Sequence, residues 1–230
     1  MSDEPKTPLQ ALDVLGTQEA ELAPGLRNLE IYTMTGLITI LWHGPPDLPG
    51  AVVACGGAMG GLLGPASGLY QRLGEQLPAM GIGVVRLSYR QPNDIPKCTL
   101  DLAAGVQLAI GHGAKQVVTM GHSFGGAIAV RVAVGLPDVV AGVVTFATQS
   151  AGCEIAGGIK PRPFLLFHGE RDEILPVEAS AVVREIADCG ELVVLPNDGH
   201  ALAKSGPVLE ERLLEWLPAV LGSAAESVAE

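Results

Sequence analysis

The feature that most constrains this chain is a set of short runs that are apolar from end to end, spaced by stretches of helical periodicity. Val52-Val53-Ala54, Val117-Val118-Thr119-Met120 and Phe164-Leu165-Leu166-Phe167 are three of them. A strand with one face in water alternates apolar and polar residues, whereas a strand covered on both faces does not. These runs therefore call for a sheet held between two layers of helix, with parallel strands joined by right-handed crossovers. The expected strands cover residues 29–33, 37–42, 51–55, 83–87, 116–120, 139–146, 164–167 and 191–195. The first two are parted by Thr35-Gly36 and read as an antiparallel hairpin. Helical patterns are expected at 66–80, 99–112, 124–136, 177–189 and 205–221. The expected fold class is α/β: a doubly wound, mostly parallel eight-stranded sheet with helices on both faces.

A chain of 230 residues suits one such domain, expected over residues 27–221. Aromatic residues make up only 4% of a sequence that is 48% hydrophobic, so the core must be built mainly from Val, Leu, Ile and Ala. Residues 1–26 read as a peripheral arm, in which Leu9, Leu12 and Leu15 suit either a turn or two of amphipathic helix or a loose segment. Residues 222–230 read as a flexible tail.

The net charge of −11 argues against nucleic acid as a partner, because an acidic surface releases no counterions from a phosphate backbone. The opening Met-Ser-Asp-Glu-Pro is polar and has no apolar core of a secretory signal. No run approaches the roughly 18 apolar residues of a membrane span; Arg131 and Asp138 interrupt the longest candidates. A cytoplasmic protein with no membrane partner is expected. The cysteines, Cys55, Cys98, Cys153 and Cys189, are far apart and form no CxxC pair, which suits free thiols rather than a disulfide or metal site.

Chemistry concentrates in Val117-Val118-Thr119-Met120-Gly121-His122-Ser123-Phe124-Gly125-Gly126. A strand ends, a Gly-x-Ser-x-Gly turn follows, and an Ala-rich helix begins. A serine presented at the carboxyl edge of a sheet must sit in a sharp, strained turn. A side chain two residues to either side would collide with the adjoining strand and helix, so both positions are Gly. The helix N-terminus behind Ser123 favours negative charge there. The same Ser would also serve as an ordinary N-cap; the strand before it and the helix after it favour a nucleophile.

A serine hydroxyl needs a base. Of the five histidines, His43 lies in a Gly/Pro turn, His112 closes a helix, His122 belongs to the turn itself and His168 ends a buried strand. His200 alone sits in a late loop, Pro196-Asn197-Asp198-Gly199-His200, between the last strand and the last helix, and it is the expected base. The carboxylate that orients it is expected in His168-Gly169-Glu170-Arg171-Asp172-Glu173, with Asp172 best placed and Glu170, Glu173 and Asp198 as rivals.

The Gly-His-Ser-Phe-Gly-Gly turn, the His-Gly-Glu-Arg-Asp-Glu-Ile-Leu-Pro run and the final Asp-Gly-His, in the order Ser, Asp, His, resemble the α/β-hydrolase superfamily. The resemblance spans about residues 29–221 and is nearest to small esterase-like and dienelactone-hydrolase-like members. It implies an oxyanion hole built from the amide of Phe124 and one from Gly56-Gly57-Ala58-Met59-Gly60-Gly61. Ala58 is the expected second donor, with Met59 as the alternative, because Gly56-Gly57 stands where the family often has His-Gly. That run lacks the Lys-Ser/Thr of a P-loop and the full GxGxxG pattern.

The resemblance also implies no cofactor, and no His/Cys/carboxylate cluster stands at metal-ligand spacing, so no metal is expected. The stretch 147–163 is too short for the lid domain many relatives carry, so an open, lidless site is expected. The implied reaction is cleavage of a carboxylic ester or thioester on a small acyl substrate. The rival readings are a peptidase or amidase using the same triad, and a hydrolase fold retained for binding alone. Homo-oligomerisation stays open.

Overall fold

The computed structural model describes residues 6–227. Nine strands form one sheet: β1 (Val14–Ala23), β2 (Leu26–Thr33), β3 (Gly36–His43), β4 (Gly50–Cys55), β5 (Ile82–Ser88), β6 (Gln116–His122), β7 (Val140–Phe146), β8 (Phe164–Gly169) and β9 (Glu191–Leu195). Their order is β1-β2-β3-β5-β4-β6-β7-β8-β9. The first three strands run antiparallel to their neighbours, and the six strands β4 to β9 are parallel to one another. The doubly wound, mostly parallel architecture is the expected one.

The sheet has one strand more than the eight expected, and it comes from the presumed N-terminal arm. Residues 14–23 pair with β2 along its length, and all ten of them are exposed. β1 is held by backbone hydrogen bonds rather than by a buried face, so it carries no hydropathy pattern to read. Just before it, α1 (Pro8–Ala11) is a single turn capped by Thr7 and Gln10, and Leu12 is buried in the core.

Alternate residues of each central strand enter opposite halves of the core. Val53 and Cys55 face one layer with α3 (Ile95–Gly111), α4 (Phe124–Gly135) and α5 (Val177–Ala187). Val52 and Ala54 face the other with α2 (Pro65–Gln76) and α6 (Gly206–Ser227). This is why those runs are apolar throughout: each side chain has a helix above or below it. α3 begins four residues earlier than its periodicity suggests. Asp94 caps it by accepting from the Lys97 amide at 3.0 Å, and Pro96 occupies its first turn. The expected tail from Gly222 starts within α6, which runs to Ser227; residues 228–230 lie outside the described residues.

The β7–β8 connection holds only a 3-10 turn, Ala156–Ile159. Among the described residues no helix is long and apolar enough to cross a membrane.

Candidate active site

Ser123 sits between β6 and α4 with φ 55° and ψ −119°, a left-handed conformation that L-residues adopt at a cost. Its amide donates to the Phe146 carbonyl at 2.8 Å, and its carbonyl accepts from the Gly126 amide at 3.0 Å. The two flanking glycines are demanded by backbone. A Cβ on Gly121 would lie 1.9 Å from the Gly125 carbonyl oxygen, and one on Gly125 would lie 2.2 Å from that of Gly56. The Gly-x-Ser-x-Gly spacing is thus a steric requirement of the turn. The collision at Gly125 is with the loop after β4, where the sequence reading placed it on strand and helix.

That loop passes close to the serine. A Cβ on Gly57 would stand 3.6 Å from Ser123 Cβ. Gly57 and Gly60 close a tight turn through a 2.9 Å bond from the Gly60 amide to the Gly57 carbonyl. Ala58 is half-buried against the core, whereas Met59 is 94% exposed. The Phe124 amide is at the first position of α4, one of the N–H groups that a helix start leaves without an internal partner.

His200 is carried by the loop after β9. The loop is held by the buried Asp198 carboxylate, which accepts from the amides of Gly199 at 3.0 Å, Lys204 at 3.1 Å and Ser205 at 2.8 Å. Gly169, the last residue of β8, lets the loop approach: a Cβ there would be 2.5 Å from the carbonyl oxygens of Asp198 and Gly199. His200 Nδ1 then meets Asp172 Oδ2 at 2.8 Å. The carboxylate only accepts, so Nδ1 carries the proton and Nε2 keeps its lone pair.

Among the candidate carboxylates, Asp172 meets the His200 ring. Glu170 accepts from the Asn197 amide at 2.9 Å, Glu173 accepts from the His200 amide at 3.2 Å, and Asp198 staples its own loop. Asp172 Oδ1 accepts from the amides of Ile174 and Leu175, each at 2.8 Å. Burial pushes its carboxyl up, but the Leu175 amide, the His200 ring and the Ile174 amide outweigh this and hold it below the usual carboxylate range.

His122, set aside in the sequence as part of the turn, has a contact of its own. Its Nε2 donates to the His200 carbonyl at 2.9 Å, and the two rings lie 4.9 Å apart. Burial lowers its pKa below the usual histidine value. His168, read as the end of a buried strand, also reaches the Asp172 carboxylate. The first link joins segments 78 positions apart, and the second is local, its one hint in sequence being the spacing His168-x-x-x-Asp172. Among the described residues no hydrogen bond joins the Ser123 hydroxyl to the His200 ring.

A model of the dienelactone hydrolase family matches residues 69–212, well over half of the chain, and the match spans Ser123, Asp172 and His200. The chain belongs to the dienelactone hydrolase family. Solved structures agree on the fold. Est1E from Butyrivibrio proteoclasticus superposes with a TM-score of 0.67 at 18% identity, covering 88% of this chain and 99% of that one. A dienelactone hydrolase from Anabaena variabilis gives 0.63 at 18% identity, covering 87% and 99%. An α/β serine hydrolase homologue from Coxiella burnetii gives 0.67 at 20%, covering 82% and 95%. The search of curated proteins finds no match. As a member of this family, the chain is a hydrolase of the α/β-hydrolase fold, as the resemblance in its motifs implied.

Proposed function

We propose that this protein is a serine hydrolase that cleaves a carboxylic ester or thioester through an acyl-enzyme on Ser123. His200 Nε2 takes the hydroxyl proton as Ser123 Oγ attacks the substrate carbonyl. The amides of Phe124 and Ala58, with Met59 as the alternative to Ala58, stabilise the tetrahedral oxyanion; one such donor contributes roughly 3–4 kcal/mol in comparable sites. His200 then gives the proton to the departing alcohol or thiol. Water, activated by the same ring, attacks the acyl-enzyme and releases the acid and Ser123.

The observation that carries this reading is the 2.8 Å pair between His200 Nδ1 and Asp172 Oδ2. It favours the tautomer that leaves Nε2 available as a base, on a loop tied to the turn that bears Ser123 through the His122 bond. The short β7–β8 connection supports an open site for a small or flexible acyl substrate. A cytoplasmic setting, with neither nucleic acid nor membrane as a partner, completes the proposal.

The test is turnover of p-nitrophenyl esters of increasing chain length beside the matching anilides. The expected result is ester cleavage well above anilide cleavage, with Ser123→Ala about a million-fold slower. Ester turnover that survives in Ser123→Ala refutes the proposal.

A further inference from the structure

The Asp172 carboxylate meets a second imidazole besides that of His200. His168, the penultimate residue of β8, has a fully buried side chain whose Nε2 lies 3.1 Å from Asp172 Oδ2, the same oxygen that pairs with His200. The Nε2–H donates to the Leu175 carbonyl at 3.0 Å. Both neighbours of Nε2 only accept, so Nε2 bears the proton. On the other edge of the ring, Nδ1 pairs at 2.6 Å with the hydroxyl of Ser180, which is buried in α5.

This arrangement constrains Asp172 twice. The Leu175 whose carbonyl His168 holds is also the residue whose amide donates to Asp172 Oδ1. His168 therefore anchors the turn that grips one oxygen and places a polar N–H edge against the other. Buried ring nitrogens are generally satisfied; what ties this ring to the reaction is that Nε2 lies against the same carboxylate oxygen that pairs with His200.

We propose that His168, seated on Ser180, is a positioning residue for the reaction: it fixes the Asp172 carboxylate and thereby sets how basic His200 is. The inference rests on the assignment of Ser123, His200 and Asp172 made above. Without the His168 edge and its turn anchor, the carboxylate concentrates its charge on the His200 N–H. The imidazolium is then favoured and the base becomes free only at higher pH. The other titratable groups here are His122, against the His200 ring and carbonyl, and Glu173, on the His200 amide. Asp198 is occupied within its own loop, and the charged residues of α5, Glu178, Arg184 and Glu185, are exposed to solvent.

The experiment is the pH dependence of kcat/KM on a p-nitrophenyl ester for the wild type, His168→Phe, His168→Gln and Ser180→Ala, with thermal unfolding measured in parallel. In His168→Phe the acid limb should move up by roughly half a unit to one unit, with a fall in turnover of about tenfold. His168→Gln, which returns an N–H to the Nε2 position, should bring the limb most of the way back. Ser180→Ala keeps the ring and removes only its support, so its limb should move in the same direction by less. A folded His168→Phe whose limb stays within ~0.2 unit of wild type overturns the proposal, because a merely structural histidine changes stability and not the limb. If His168→Phe does not fold, unmoved limbs in both Ser180→Ala and His168→Gln overturn it. Absence of fluorophosphonate labelling at Ser123 in the wild type is a different failure, that of the serine-hydrolase reading itself.

Discussion

His122 Nε2 donates to the carbonyl of His200 at 2.9 Å, joining two residues that lie 78 positions apart. The neighbour of the proposed nucleophile thus holds the backbone of the proposed base. The bond ties the end of β6 to the loop after β9. A loop that carries a base must be fixed to well under an ångström for proton transfer to be efficient.

His122→Phe keeps the ring's bulk and removes the donor. The expected result is a folded protein whose kcat/KM falls by about tenfold, the scale of one hydrogen bond, with His122→Gln closer to wild type. Ester kinetics beside a thermal unfolding curve check this. Unchanged kinetics in a folded His122→Phe would remove the positioning role.

The glycines divide into two groups that the same substitution separates. Gly121→Ala and Gly125→Ala drive a methyl into backbone oxygens at 1.9 and 2.2 Å. Each is expected to cost at least about 4 kcal/mol or to prevent folding. Gly111→Ala, at the end of α3 with nothing within 4 Å of the added carbon, is expected to be neutral or to stabilise by up to ~1 kcal/mol. Urea unfolding of the three variants decides. Equal stabilities would contradict the steric account of the serine turn.

His43 supplies a pH-dependent term remote from the serine. It is buried at the end of β3, with a ring against which Gly74 packs so closely that a Cβ there would lie 2.6 Å away. Burial, with Arg86 adding to it and Glu75 opposing, pushes its pKa from 6.5 down to about 4. The unfolded chain takes up a proton on this residue as pH falls through 6.5, whereas the folded chain does not until about pH 4. The folded state therefore loses stability over that interval, by up to about 3 kcal/mol from this residue. His43→Gln should show a shallower decline between pH 7 and pH 4 by that amount, read from urea midpoints. Parallel curves for the two proteins would contradict it.

The central sheet was legible because its strands are buried on both faces, which leaves unbroken apolar runs such as those of β4 and β8. β1 was not, because all ten of its residues are exposed and its pairing rests on backbone hydrogen bonds, with one exposed ion pair, Glu19–Arg27, across to β2. The serine turn was legible because steric exclusion at Gly121 and Gly125 writes itself into residue type. Asp172 was the best-placed carboxylate in sequence, but Glu170, Glu173 and Asp198 stood as rivals because two loops near the strand ends carry four carboxylates. Three-dimensional approach across Gly169 is what brings the His200 ring to Asp172. The contacts of His122 and His168 were hidden for the same reason: each histidine ended a strand, and its partner came from another element.

The most direct measurement of the central claim is mass analysis of the protein after reaction with a fluorophosphonate. The account predicts a single phosphonyl adduct, mapped by peptide sequencing to Ser123, absent in Ser123→Ala and formed far more slowly in His200→Gln. An unmodified protein, or an adduct on another residue with Ser123 untouched, would contradict it.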